Sequence, residues 1–141
     1  MEITCRQLTQ EEFQDALAIR IKVFVDEQNV PIELEQDEYD QKATHFGAFV
    51  NGKLVGTGRL VITEEGGKIG RMAVLKEYRG SGAGLKLLNF IVDYCQQLGL
   101  KQAYLSSQTH AIGFYEKAGF KAEGGIYDDA GIPHRTMRII F

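Results

Sequence analysis

Cysteine is scarce in this chain. Cys5 and Cys95 are the only two, they lie far apart, and they form no C-x-x-C pair. We read them as reduced thiols of a cytoplasmic protein, with Cys95 on the core face of a helix and no metal site expected. Basic blocks are missing too. Sixteen Lys and Arg stand against nineteen Asp and Glu, a net charge of −3, so there is no electrostatic case for nucleic acid. No apolar run approaches the roughly 20 residues a membrane helix needs. The opening residues Met1-Glu2-Ile3-Thr4 carry no basic, apolar leader, which again leads us to expect a cytoplasmic protein without membrane attachment. Internal repeats, linkers and low-complexity tracts are likewise missing. What remains is 141 residues, 44% apolar and 25% charged, which suits one domain over 1–141 with one core.

The stretch from Lys68 to Leu98 organises the rest. Lys68 to Val74 reads as a short buried strand. Leu85, Leu88, Ile91, Val92 and Cys95 repeat at helical spacing. Between them Gly80, Gly82 and Gly84 place three glycines in five residues. A strand, a glycine-rich turn and a helix start make an anion site, because backbone N–H groups converge there and the helix end adds partial positive charge. A phosphate-bearing ligand is expected. The spacing is not that of a P-loop, since no Lys-Ser or Lys-Thr follows the glycines. Nor is it a dinucleotide fingerprint, since Leu85 stands where the third glycine would be.

Ile3 to Leu8 reads as a first strand, and Thr9 with Glu12 as a capping box that opens a helix. Phe13, Ala16, Leu17, Ile21 and Phe24 give that helix an apolar face, and it should fail before Pro31. Arg20 falls on the same stripe, where an ion pair is favoured over a substrate contact. Residues 26–40 hold seven acids and no base. This is either a solvated acidic loop or a negative rim for a cationic amine. His45 to Val50 and Lys53 to Thr63 read as strands joined at Asn51-Gly52, a two-residue hairpin signal. Gly99 should end the long helix. Gln102 to Ser106 should be a strand parallel to Lys68–Val74, because a helical crossover joins them. A short helix over Ala111–Ala118 and strands over Phe120–Glu123 and Arg135–Phe141 complete the chain. His134 falls in the loop before the last strand.

Arg79-x-x-Gly82-x-Gly84 is similar to the coenzyme A pyrophosphate loop of the GNAT (Gcn5-related) N-acetyltransferases. Ala111-Ile112-Gly113-Phe114-Tyr115-Glu116-Lys117-Ala118-Gly119-Phe120 resembles the family segment A-x-x-F-Y-E-K-x-G-F. The expected element order is also that of the family, and the resemblance spans most of the chain. Arg20-x-x-Val23-Phe24-x-x-Glu27-Gln28-x-Val30-Pro31, with Gly131-Ile132-Pro133-His134, resembles the YjcF-like and ElaA-like bacterial branch.

The resemblance implies an α/β (α+β) fold. Its central sheet is mixed and mostly antiparallel, with one parallel pair splayed to hold the cofactor and helices on both faces. It implies direct transfer of an acetyl group from acetyl-coenzyme A to an amine. The pyrophosphate would meet Arg79, Gly80, Ser81, Gly82, Ala83, Gly84 and Leu85. The pantetheine arm would pair with the open edge of Met72, Ala73 and Val74, with an N–H near Ala73 facing the thioester oxygen. Gln108, where the family often has Asn, and Phe114 would line the same site. Tyr115 stands at the position of the general acid. The positions where many members carry a carboxylate base are Lys68, Gly70 and Arg71 here, so the base falls to His45, Glu35, Glu27 or Asp37. Glu27, Glu35 and Asp37 are also the candidate acceptor contacts. His110 and His134 are read as bystanders or substrate contacts.

The acceptor is expected to be a small cationic molecule or a peptide amine, and a homodimer is left open. The alternatives from other classes are a non-catalytic coenzyme A sensor on the same fold and a purely structural or protein-binding domain. Intact Tyr115 argues against the first, and the glycine loop against the second.

Overall fold

A computed structural model describes every residue except 1 and 33–36. Seven strands form one sheet in the order β1-β2-β3-β4-β5-β7-β6. They are β1 (Ile3–Gln7), β2 (Thr44–Val50), β3 (Lys53–Thr63), β4 (Gly66–Val74), β5 (Gln102–Gln108), β6 (Lys121–Asp129) and β7 (Ile132–Ile140). Every neighbouring pair is antiparallel except β4 with β5, where Gly67, Lys68 and Ile69 lie beside Ala103, Tyr104 and Leu105. This is the expected mixed sheet with one parallel pair.

Local chemistry accounts for most of the turns. Asn51 and Gly52 take φ of 51° and 83°, the left-handed pair that a two-residue hairpin requires. The reciprocal Thr9–Glu12 bonds form as read, but the helix itself begins later, at Phe13, with Glu12 as its N-cap. Thr9 N–H donates to Glu12 Oε1 at 2.9 Å, and Glu12 N–H to Thr9 Oγ1 at 3.3 Å. The helix that follows is α1 (Phe13–Arg20), and it continues into a π-helical segment, Ile21–Glu27. That wider turn shifts the apolar face. Ile19 and Val23 are buried where the 3.6-residue pattern singles out Ile21 and Phe24. The segment stops at Asn29, whose left-handed backbone lets Val30 N–H return to Phe24 C=O at 2.9 Å.

Helix α2 (Ala83–Gln97) buries Leu87, Leu88, Ile91, Val92 and Cys95 against one face of the sheet, with Phe46, Leu60, Ile69, Leu105 and Met137 beneath. Burial pushes the Cys95 thiol up to about 11, as a core-facing position implies. Ile19 and Val23 cover the opposite face with Ala73 and Leu75. Helices therefore lie on both faces. A short helix, α3 (Ile112–Glu116), follows β5.

The last hairpin corrects the sequence reading. β6 and β7 each run nine residues, joined at Ala130-Gly131 with φ of 54° and 80°. His134 lies inside β7, opposite Gln108 on one side and Tyr127 on the other, rather than in a loop. Gly124 and Gly125 hid the strand in the sequence. Cross-strand pairing and the left-handed turn hold it together.

Candidate functional site

The site begins where β4 and β5 part. Their ladder ends at Ile69 and Leu105, yet both strands continue, to Val74 and Gln108. Gly70–Val74 therefore has β3 on one side and, among the described residues, no strand on the other. An extra residue in β4 marks the parting. Two steps along β3 (Thr57 to Arg59) span three along β4 (Ala73 to Gly70), and Arg71 sits in the bulge with φ of 51°. Leu75 N–H donates to Val55 C=O at 2.9 Å. Partners alternate along an antiparallel strand, so the amide groups of Ala73 face β3, whereas those of Val74 face the open side. Arg79 Nε donates to the Val74 carbonyl at 3.0 Å there.

The glycine loop stands at the end of this edge. Gly80 and Gly82 have φ of 81° and 91°, and a Cβ at either would meet nothing within 4 Å, so it is backbone direction that requires glycine. Ala83 N–H reaches Ser81 Oγ at 3.3 Å, and Lys86 N–H reaches Gly82 C=O at 3.0 Å. Among the described residues, the N–H groups of Gly80, Gly82, Gly84 and Leu85 have no acceptor. Gly84 serves close approach instead, with a Cβ there meeting Val74 at 3.3 Å and the Phe114 ring at 3.4 Å. Phe114 thus holds the helix start against the end of β4. Ala83 is fully buried, Met72 packs into the core, and Arg79 is tied to Glu27 at 2.7 Å. Unpaired N–H donors at the start of a fifteen-residue helix, with an arginine alongside, fit a diphosphate. The open strand edge fits an amide-bearing arm.

Tyr115 lies on α3 between Phe114 and Phe120, with ring centroids 5.0 and 6.2 Å away. Its hydroxyl has no hydrogen-bond partner among the described residues, and burial pushes its pKa up to about 12. A phenol in such surroundings keeps its proton throughout the neutral range and has it to donate.

The other predicted residues fall into two groups. Asp37 caps the turn Glu38–Gln41 and binds Arg59 Nη1 at 2.7 Å and Arg71 Nη2 at 3.2 Å. Asp40 binds Arg20 Nη1 at 2.8 Å and Arg59 Nη1 at 3.0 Å. Arg20 is 1% exposed, so its ion pair is fully buried. His45 is joined to this group, its Nε2 lying 3.0 Å from the Asp40 carbonyl and its ring 4.7 Å from Phe13. Burial lowers the His45 pKa, so its ring is neutral and its Nε2–H is the donor. His45 and Tyr115 share none of these neighbours. Glu35 lies outside the described residues.

The second group joins Gln108 to Gln28, which the sequence reading gave no role, and to His110, which it took for a bystander or substrate contact. Gln108 Nε2 donates to Gln28 Oε1 at 2.7 Å, and the Gln108 oxygen lies 2.6 Å from His110 Nε2. Gln28 is the C-cap of the π-helical segment, directly after its last residue, Glu27. Its bond to Gln108 therefore joins the helix packed on β4 to the far end of β5. The signal for Gln28 in the sequence was its place in the Arg20–Pro31 motif, which assigned it no role.

A groove of about 600 Å³ runs along β4, β5, β7 and β6, lined by Lys68, Tyr104, Ser106, Tyr127, Thr136 and Arg138 among others. Tyr104 and Ser106 face it, so Gln108, two residues further along β5, is on the same strand face.

A sheet split at a bulged strand, with a glycine loop and helix start at the split, defines a coenzyme A-type acyltransferase architecture. The chain belongs to the GNAT acetyltransferase family, matching its domain, "Acetyltransferase (GNAT) domain", over residues 6–141. It is 36% identical over 129 residues to the uncharacterized N-acetyltransferase YjcF of Bacillus subtilis, covering 91% of this chain and 92% of that one. An acyl-CoA N-acyltransferase from Pseudomonas aeruginosa superposes with a TM-score of 0.82 at 32% identity, over 97% of each chain. Escherichia coli ElaA superposes with a TM-score of 0.85 at 28% identity, over 97% of this chain and 99% of that one.

Proposed function

We propose that this protein transfers the acetyl group of acetyl-coenzyme A directly to a primary amine. The observation that carries the reading is the parting of β4 and β5 beside four N–H groups with no acceptor among the described residues. The loop would bind the diphosphate, and the Gly70–Val74 edge would pair with the pantetheine amides. By strand parity, the Val74 N–H is the open-side donor closest to the Ala73 position named from the sequence. It would stabilise charge on the thioester oxygen once Arg79 leaves the adjacent carbonyl. Tyr115, held neutral by burial, would protonate the departing sulfur.

The acceptor we propose is an amine on a small molecule or peptide, arriving along the groove on the β5–β7 face. Its cationic character is supported by the acid excess of residues 26–40 and is tempered by the arginines that bind Asp37 and Asp40. A panel of alkyl amines, diamines, amino acids and short peptides, each with acetyl-coenzyme A, tests both parts. Release of free thiol with a diamine, weakened by salt, supports the cationic acceptor. Thermal stabilisation by coenzyme A without turnover of any amine would leave a sensor. No stabilisation at all would remove the ligand.

A further inference from the structure

β4 carries Lys68, Gly70 and Arg71 where a carboxylate base would be useful, so the proton of the attacking amine must go elsewhere. His45 is engaged at the Asp40 carbonyl and Phe13. We propose that His110 is the general base of this site and that Gln28 and Gln108 position it. The assignment rests on the acetyltransferase reading above.

The hydrogen bonds fix the tautomer. Gln108 Nε2 donates to Gln28 Oε1, which leaves the Gln108 oxygen to face His110 Nε2. An amide oxygen only accepts, so Nε2 carries the hydrogen and the lone pair of the neutral ring is on Nδ1. His110 is exposed, and among the described residues Gln108 is its only polar partner. A nitrogen lone pair is thus held just past the end of β5, two residues before the helix that carries Tyr115. The titratable and charged groups on the elements packed against Thr109–Ala111 are His134, Arg135 and Arg138 of β7 and Tyr115, Glu116 and Lys117 from α3 onward. No ion pair among the described residues joins any of them to His110.

The protons balance. His110 Nδ1 takes one from the ammonium, and the free amine forms its C–N bond as the C–S bond breaks. Tyr115 gives its proton to the sulfur and recovers one from the nitrogen. The third stays on the amide, and His110 returns its own to solvent.

Two measurements test this. In wild type, kcat/KM for the best amine of the panel should fall as pH is lowered through the range where imidazoles titrate, about pH 5–8. His110→Gln should lower the plateau by about 10²-fold or more and abolish that limb, and imidazole should restore turnover to His110→Ala. Gln28→Ala should keep the limb and lower the plateau severalfold. Nitrogen NMR of the resting protein, recorded above the range where imidazoles titrate, should show the His110 hydrogen on Nε2, whether or not an acceptor is known. A limb unchanged in His110→Gln, a limb lost instead in His45→Gln, or an Nδ1–H tautomer would overturn the base assignment alone. A wild type that turns over no amine would overturn the reading beneath it, and the assignment with it.

Discussion

Glu27 Oε1 lies 2.7 Å from Arg79 Nη2, so the last residue of the π-helical segment holds the first residue of the glycine loop. The same guanidinium donates to the Val74 carbonyl. Arg79 thus bridges the acidic stretch, the open strand edge and the anion loop. A bound diphosphate would compete with Glu27 for it.

Removing that competitor should tighten coenzyme A binding. Both side chains are substantially exposed, and such pairs contribute about 0.2–1 kcal/mol. Glu27→Gln should therefore lower the calorimetric Kd for coenzyme A by no more than about fivefold, with little change in melting temperature. A weaker affinity would show that Glu27 orients Arg79 for the ligand instead of withholding it.

Gly82→Asp should abolish coenzyme A binding. The position is left-handed, so any side chain is strained, and Asp adds a negative charge where donors converge. Nothing lies within 4 Å of the new Cβ, so the circular dichroism should stay native. Gly82→Asn carries the strain without the charge and should retain measurable binding. Equal loss in both variants would assign the effect to the backbone alone.

Tyr115→Phe should leave coenzyme A affinity within about twofold and cut the chemical step by about 10²–10⁴-fold. Because burial raises the phenol to about 12, its ionisation adds no basic limb to the rate below about pH 11. A loss of less than threefold in single-turnover experiments would make Tyr115 a packing residue.

Which of these features could be read from the residues alone follows from how local their causes are. The Asn51-Gly52 hairpin, the Thr9–Glu12 box, the stop at Gly99 and the glycine loop are set within a few residues, and all were legible. So was the parallel pair, because a right-handed helical crossover leaves little choice. The π-helical register was not. It is settled by how Ile19 and Val23 meet Ala73 and Leu75 across the sheet. The fate of the acids was hidden too. Asp37 looks solvated until Arg59 and Arg71, 22 and 34 residues away, close on it. The Gln28–Gln108 bond spans 80 residues, and an amide pair carries no pattern that a spacing rule can detect.

Asp40→Asn should be the most damaging single change outside the site. Arg20 is buried with Asp40 as its ion-pair partner, and removing one member of a buried pair costs about 3–5 kcal/mol. For a chain of this size that is a fall in Tm of roughly 10–15 °C. Replacing both, as Arg20→Met with Asp40→Asn, should recover part of the loss, because the buried guanidinium goes together with the carboxylate and Arg59 keeps Asp37. The pH dependence has a definite sign. Burial pushes the Asp40 carboxyl up, but Arg20, Arg59 and the Asp37 N–H outweigh it and hold it below the usual carboxylate range. A lowered folded pKa contributes stability above the ordinary carboxylate range and loses it as pH falls through that range and below. The lowered His45 acts in the same direction at higher pH. It is lost as pH drops below about 6.5, where the unfolded imidazole gains a proton. Urea denaturation at pH 7 and again near pH 3 should therefore show the gap between wild type and Asp40→Asn narrowing with acid. A gap of the same size at both would mean that the carboxylate's shape, and not its charge, secures Arg20.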